Sequence, residues 1–220
     1  MSLRGLLTGA RNQVDGESAM WLPDYVDEIL RSGLPGVRDL APRARRAQLD
    51  GYLRGVVDRD VPDNGLAVRK PDVMVGWMRA YAAATSTTAS YSRVLDAATP
   101  GQSDKLVKTT GIAYRDVLTQ LWLLDPVPGW SPTRNPSARL LGAGEASLLG
   151  GGGDVLAPRD GTLLGHLFES LATLSVRVFA QAAGATVGHL RTGNGDREVD
   201  LVAVRDDGRS SRSRSRSPAR

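Results

Sequence analysis

The chain has 220 residues, of which 41% are hydrophobic, and it carries a net charge of +4 with no cysteine. This length allows one large domain or two small ones, and the hydrophobic share is enough for an ordinary core. The lack of cysteine excludes disulfides, thiolate nucleophiles and cysteine zinc sites, and no stretch approaches the roughly 20 apolar residues that span a bilayer. We therefore expect a cytoplasmic protein without a membrane partner.

The positive charge lies at one end of the chain. Five arginines and no acid follow residue 208, which turns the +4 of the whole chain into −1 for residues 1–208. A charge confined to a tail gives the folded surface no basic patch, and a protein that binds in a groove of a nucleic-acid duplex needs such a patch. Composition alone therefore gives no argument for nucleic-acid binding by the body of the protein.

Residues 1–70 are predicted to be a helical segment. A short helix over 23–30 has proline near its first turn and early acidic residues. A second helix over 42–57 carries apolar residues at helical spacing and is expected to end within 58–62.

Residues 71–135 are predicted to form a helix-turn-helix or winged-helix-like unit, because three helical patterns follow one another with short turns. The helices are expected over 73–81, 91–98 and 109–124. The third would be the recognition helix, with an exposed polar side formed by Lys108, Arg115 and Gln120. Its core side would be formed by Tyr114, Val117, Leu118, Leu121 and Trp122. Three polar groups make a weak footprint, so a three-helix bundle that binds protein or no ligand is favoured over one that binds duplex DNA.

Residues 136–208 are predicted to combine one long helix with a hairpin. The helix over 163–183 has an apolar stripe at 164, 167, 168, 171, 174 and 178, and Glu169 lies nearly opposite that stripe on an ideal wheel. Strands over 186–191 and 197–204 flank a turn at 192–196, and Asp200 lies in the second strand. By spacing alone, Glu169 fits a solvated helix face and Asp200 a strand-edge position better than a metal site.

ATP hydrolysis by this chain is excluded by the lack of a P-loop, without which the Walker B-like run at 121–125 has no phosphate to act on. The one lysine followed by Ser or Thr is Lys108, and Val107 stands where a P-loop needs glycine. The four glycines at 150–153 are followed by Asp154 rather than by lysine, which indicates a flexible loop. We therefore expect no enzyme activity from the chain alone.

Several segments in order resemble the domain of unknown function that follows the AAA+ module in many bacterial and archaeal ATP-binding proteins. The resemblance spans about residues 1–208 and is carried by residues 22–36, 52–53, 57–61, 114–125, 165–169 and 197–200. It implies an N-terminal AAA+ ATPase module, a winged-helix segment and a terminal domain similar to PD-(D/E)XK nucleases. The fold class is therefore expected to be α+β, with an incomplete nuclease-like α/β domain over 136–208.

In that family pattern Glu169 matches the helix acid and Asp200 the strand acid. The next strand should carry Glu-x-Lys, but this position falls in the Arg/Ser tail, which has neither residue. The resemblance thus implies a fragment with vestigial Glu169 and Asp200, with no cofactor and no metal, and with DNA as a candidate partner. The alternative is an accessory subunit that acts with an AAA+ ATPase module supplied by another chain, in a nucleic-acid-processing or toxin-like system.

The tail over 209–220 consists almost wholly of arginine and serine and is predicted to be disordered. A reading frame displaced near the codon for Gly208 explains this composition, and an RNA-binding or phosphorylatable segment is the competing interpretation. Without the missing strand, the strand over 197–204 would keep an unpaired edge, which is an aggregation hazard.

Overall fold

The structure is a computed structural model that describes residues 2–10, 16–86, 91–99, 106–130, 161–191, 198–205 and 210–213. Its helices are α1 (Leu3–Leu7), α2 (Leu22–Arg31), α3 (Pro35–Arg38), α4 (Pro42–Gly55), a π-helical segment (Val56–Asp60), α5 (Val61–Asp63), α6 (Pro71–Ala83), α7 (Tyr91–Ala98), α8 (Lys108–Gln120) and α9 (Gly161–Ala182). Its strands are β1 (Ala185–Arg191), β2 (Glu198–Arg205) and β3 (Ser210–Ser213). The mostly helical chain with one small antiparallel sheet confirms the predicted α+β class.

The chain divides into two compact units. The helical unit comprises Met20–Asp125 and Leu140–Ser170, and the sheet unit comprises Met1–Ala19, Pro126–Arg139 and Leu171–Arg220. The boundaries predicted at residues 70, 135 and 208 stay predictions. The four-glycine loop and the turn at 192–196 lie outside the described residues.

The start of the helical unit is held by a small network of ion pairs. Asp27 of α2 accepts a hydrogen bond from Arg31 Nε at 2.6 Å, and its other oxygen lies 3.7 Å from Arg45 Nη2 on α4. Arg38, the last residue of α3, pairs with Glu28 of α2. Arg45 is buried at 7% exposure, so its charge needs the nearby carboxylate of Asp27.

The second predicted helix does not end within 58–62, as the sequence suggested, but continues through a π-helical segment into α5. The amide of Val61 donates to Val56 O, which is the wider i to i+5 bond of a π turn. Val56, Val57 and Val61 are all buried, at 1%, 2% and 0% exposure. In an α-helix Val56 and Val61 would lie about 140° apart, and the wider turn brings them to the same side.

The main core of the helical unit lies between α6, α7 and α8. Trp77 and Met74 of α6 are fully buried, and Tyr114 and Leu118 of α8 pack into the same cluster. The rings of Trp77 and Tyr114 meet edge to face, with centroids 5.7 Å apart. This packing fixes α8 and determines which of its sides stays exposed.

Helix α8 ends at Gln120, four residues before the predicted end. Trp122 has a left-handed backbone with φ of 58°, which stops the helix, and its side chain is 82% exposed. The prediction that Trp122 belongs to the core was therefore wrong. The turn instead buries Leu124, at 3% exposure, against the cluster around Trp77.

The sheet unit contains the predicted hairpin. Strands β1 and β2 pair antiparallel from Ala185 opposite Arg205 to Arg191 opposite Glu198, with an irregularity between Gly188 and Leu190. On the edge of β1 that does not pair with β2, the amide of His189 donates to Pro128 O and the amide of Trp130 donates to His189 O. Helix α1 also belongs to this unit, where Leu7 is buried in a cluster with Val187 and Leu201.

Residues 210–213, which the sequence placed in a disordered tail, form the third strand. β3 pairs antiparallel with β2, from Leu201 opposite Ser213 to Val204 opposite Ser210. The prediction of an unpaired edge along 201–204 was wrong, because β3 covers that edge, and the disorder predicted for the rest of the tail over 209–220 stays a prediction. Backbone hydrogen bonds form the ladder whatever the side chains are, so an Arg/Ser composition does not prevent it.

The buried side of α9 overlaps the predicted apolar stripe in part, because Leu167 of that stripe is buried. Leu167, Ser170, Thr173 and Ala180 are buried, while Phe168 and Val178 of the predicted apolar stripe are 43% and 57% exposed. Phe168 makes an edge-to-face contact with Tyr25 of α2, at 5.2 Å between ring centroids.

The sequence was expected to contain no stretch long and apolar enough to span a bilayer. Among the described residues, α9 is the one helix that is long and apolar enough to do so by length and composition. One weakly apolar helix is insufficient to assign a span.

Candidate nucleic-acid interface

Helix α8 is positioned by one closely packed glycine. A Cβ added at Gly111 would lie 2.8 Å from the Tyr91 hydroxyl and from Leu95 Cδ2 of α7, and 3.2 Å from Trp77 Nε1 of α6. Only a residue without a side chain lets α8 approach both helices this closely. Burial raises the pKa of Tyr91, and the positive charge of Arg115 opposes that rise.

The three predicted nucleic-acid-binding residues do not form one surface. Lys108 is the exposed first residue of α8, and Arg115 lies two turns later on the same side. Gln120 is exposed at the end of the helix but lies about 140° around the helix axis from Arg115. The structure therefore groups the two cations and separates the amide from them.

Arg115 already has a carboxylate partner. Its Nε and Nη2 donate to Asp116 Oδ1 at 2.9 and 2.6 Å, and the two side chains are 38% and 54% exposed. The hydrogen bond to Asp116 is the main cause that raises the pKa of the Arg115 guanidinium. An exposed pair of this kind contributes about 0–1 kcal/mol to stability, so a phosphate can compete for the arginine.

The two predicted vestigial acids lie in different units. Glu169 is on the part of α9 that belongs to the helical unit, and Asp200 is on β2 of the sheet unit. Among the described residues, no three His, Asp or Glu side chains come together as a possible metal-binding group. The assignment of Glu169 and Asp200 as remnants of a nuclease stays a prediction.

Two features near α8 were missed by the sequence interpretation. Arg69 and Lys70, two consecutive cations before α6, line a cavity of about 500 Å³ together with Thr109 and Thr110 at the start of α8. Trp122 is the most exposed of the large apolar side chains at the end of α8. Two adjacent cations before a helix-starting proline were a usable signal for the first feature, whereas nothing in the sequence distinguished Trp122 from its buried neighbours.

A protein-family model matches most of the helical unit, including α8. Residues 22–143 match the model of a domain of unknown function, DUF8612. The chain belongs to the DUF8612 family. The matched part of DUF8612 includes α2 to α8 and all three polar residues Lys108, Arg115 and Gln120, whereas Glu169 and Asp200 lie outside it. No curated protein and no solved structure matches the chain.

Proposed function

We propose that the DUF8612 part of this chain is a non-catalytic module that binds the backbone of nucleic acid through α8. The observation that carries the proposal is the placement of Lys108 and Arg115 on one side of α8. The buried stripe through Gly111, Tyr114 and Leu118 fixes the rotation of the helix against α6 and α7. The two cations therefore stay accessible on a rigid support.

Two cations predict a weak, salt-dependent interaction without base readout. Each phosphate contact contributes about 0.9 to the slope of log K against log salt for duplex DNA. The body of the chain is nearly neutral, so no wider basic surface adds to these contacts. The expected ligand is a sequence-independent phosphate backbone.

The resemblance to the domain that follows AAA+ modules gives this proposal its biological context. In that context the chain is a cytoplasmic accessory part without catalysis of its own, and Glu169 and Asp200 are vestigial. The lack of a P-loop lysine supports the absence of ATP hydrolysis.

One observation favours the alternative, an accessory subunit that acts with a separate AAA+ ATPase. Trp122 is 82% exposed in a left-handed conformation that costs a non-glycine residue about 1–2 kcal/mol. Exposed tryptophan is enriched among the residues that dominate protein interfaces. A partner ATPase that loses affinity for Trp122→Ala but not for Lys108→Ala would favour this reading.

The experiment compares duplex DNA and RNA binding by the full chain and by a triple variant, Arg214→Gln, Arg216→Gln and Arg220→Gln. These substitutions remove tail charge but leave the four residues of β3 unchanged. If the proposal holds, the variant keeps most of its affinity, because α8 supplies the contacts. Complete loss of binding in the triple variant would assign the affinity to the tail and reject α8 as the binding site.

A further inference from the structure

We propose that the 500 Å³ cavity between the residues preceding α6 and the start of α8 is a binding site for a phosphoryl group. The cavity is lined by Arg69 and Lys70 on one side and by Thr109 and Thr110 on the other. The site goes beyond backbone binding by α8, because it is an open cavity at the start of the helix that would hold a phosphoryl group.

The charge of the lining has one sign. Arg69 and Lys70 are exposed cations, and no Asp or Glu is among the described residues that line the cavity. Arg69 forms no ion pair with any described residue. Lys108, the neighbour in sequence of the lining residues Val107 and Thr109, is a further exposed cation. Such a lining attracts anions and repels cations.

The start of α8 supplies amide donors to the same place. Gly111 is the first residue whose amide donates within the helix, to Val107 O at 3.1 Å, so the amides of residues 108–110 have no helical acceptor. Val107 at the cap position has no side-chain oxygen, and the first turn contains no acid. The thirteen-residue α8 thus presents free N–H groups and the positive end of its dipole to the cavity.

A buried tyrosine lines the same cavity. Tyr114 is 5% exposed, and its hydroxyl has no hydrogen-bond partner among the described residues. Side chains on a helix lean toward its N-terminus, so the Tyr114 ring leans toward the turn that begins α8. A phenol is protonated at neutral pH and can donate, and burial raises the pKa of Tyr114 further.

The donors and cations that line the cavity favour a phosphate group as the ligand. Amide groups, two threonine hydroxyls and a phenol are donors for an anion with several oxygens, and arginine matches phosphate in particular. Val73 and Ala113 give the rest of the lining an apolar character, which leaves room for the group that carries the phosphate. The phosphoryl group belongs either to a free nucleotide or to the backbone of nucleic acid.

The test uses a substitution that fills the site without weakening the fold. Val107 is 63% exposed, and aspartate is among the best N-cap residues, so Val107→Asp places a carboxylate on the free amides while it favours α8. Val107→Ala is the matched control, because it leaves the amides free. Arg69→Gln is a second variant that removes one cation from the lining.

The full chain is titrated with inorganic phosphate while the amide signals of Thr109 and Thr110 are followed by NMR. We expect both signals to shift, affinity to fall at least tenfold in Val107→Asp and at least threefold in Arg69→Gln, and Val107→Ala to bind like the native chain. Equal phosphate binding by Val107→Asp and the native chain, or no shift at either threonine, would overturn the proposal.

Two further ligands distinguish the sources of the phosphoryl group. Competition between phosphate and a nucleoside monophosphate, but not the corresponding nucleoside, would assign the site to a free nucleotide. Competition between phosphate and duplex DNA alone would assign it to a nucleic-acid backbone. If Lys108→Ala and Arg115→Ala leave duplex binding unchanged while phosphate still shifts Thr109 and Thr110, only the function proposed for α8 fails.

Discussion

Arg115 Nη2 lies 2.6 Å from Asp116 Oδ1, so the central cation of α8 is held by the next residue in the chain. The pair is partly exposed, with the Asp116 side chain at 54%. The carboxylate therefore competes with any phosphate that approaches Arg115, but it is too exposed to exclude one.

Asp116→Asn is expected to strengthen binding of duplex DNA several-fold at low salt. The substitution releases Arg115 and removes a negative charge that repels the backbone. The measurement is a fluorescence titration of the duplex. Asp63→Asn, at an exposed acid on α5, is the control for charge alone. Equal gains in both variants would show that Arg115 has no special role.

Gly111→Ala is expected to destabilise the helical unit by about 1–3 kcal/mol through overpacking. The new methyl would lie 2.8 Å from Tyr91 and Leu95, and this outweighs the roughly 1 kcal/mol by which alanine favours a helix. The measurement is urea unfolding.

The matched control is Gly51→Ala on α4, where an added Cβ meets nothing within 4 Å. That variant should gain about 0.5–1 kcal/mol from helix propensity. A Gly111→Ala protein as stable as Gly51→Ala would contradict the close packing of α8.

Two helical segments depart from the periodicity of their sequences, α8 at its C-terminal end and α4 where it continues into the π-helical segment. Apolar residues continue through Leu124, so periodicity extends the helix, but the chain turns at Trp122 to bury Leu124. The π turn depends on bringing Val56 to the same side as Val61, which is a tertiary demand that a 3.6-residue pattern does not record.

In the sheet, the sequence predicted the hairpin of β1 and β2 but not the third strand, β3. Alternating apolar residues on both sides of a Gly-Asn-Gly turn predicted β1 and β2, and the pairing of Thr186 with Val204 confirms them. Strand β3 was missed because its side chains give no strand signal, and its partner edge on β2 determines its conformation. Helical spacing alone places Lys108 and Arg115 on one side of α8 and Gln120 about 140° away, and the role of all three in binding stays a prediction.

Removal of β3 is expected to make the chain aggregate. A chain that ends at Gly208 exposes the edge of β2 along 201–204, which β3 covers, while a chain that ends at Ser213 keeps it paired. Light scattering during concentration compares the two. Equal solubility would mean that the β3 ladder contributes nothing to protection of this edge.

Stability is expected to fall above about pH 10. Burial raises the pKa of Tyr91 and of Tyr114 above the ordinary value, so the unfolded chain loses these protons first as pH rises. The folded state then binds more protons than the unfolded state, and the free energy of unfolding decreases with pH.

Tyr114→Phe tests this pH dependence. The variant should show a shallower decline than the native chain between pH 9.5 and 11, a window set at roughly the ordinary tyrosine pKa. The measurement is urea unfolding at several pH values. The control is Tyr25→Phe, at a tyrosine whose ring contacts Phe168. An unchanged slope in Tyr114→Phe would contradict a protonated, buried phenol.

The measurement that most directly tests the account is the salt dependence of duplex binding by the double variant Lys108→Ala and Arg115→Ala. The tail variant with Gln at 214, 216 and 220 is the background, and Arg43→Ala on α4 is the matched control. If α8 contacts the backbone, the slope of log K against log salt falls by about 2, or about 1 for each cation, while Arg43→Ala keeps the background slope. A slope that stays the same in the double variant would contradict nucleic-acid binding through α8.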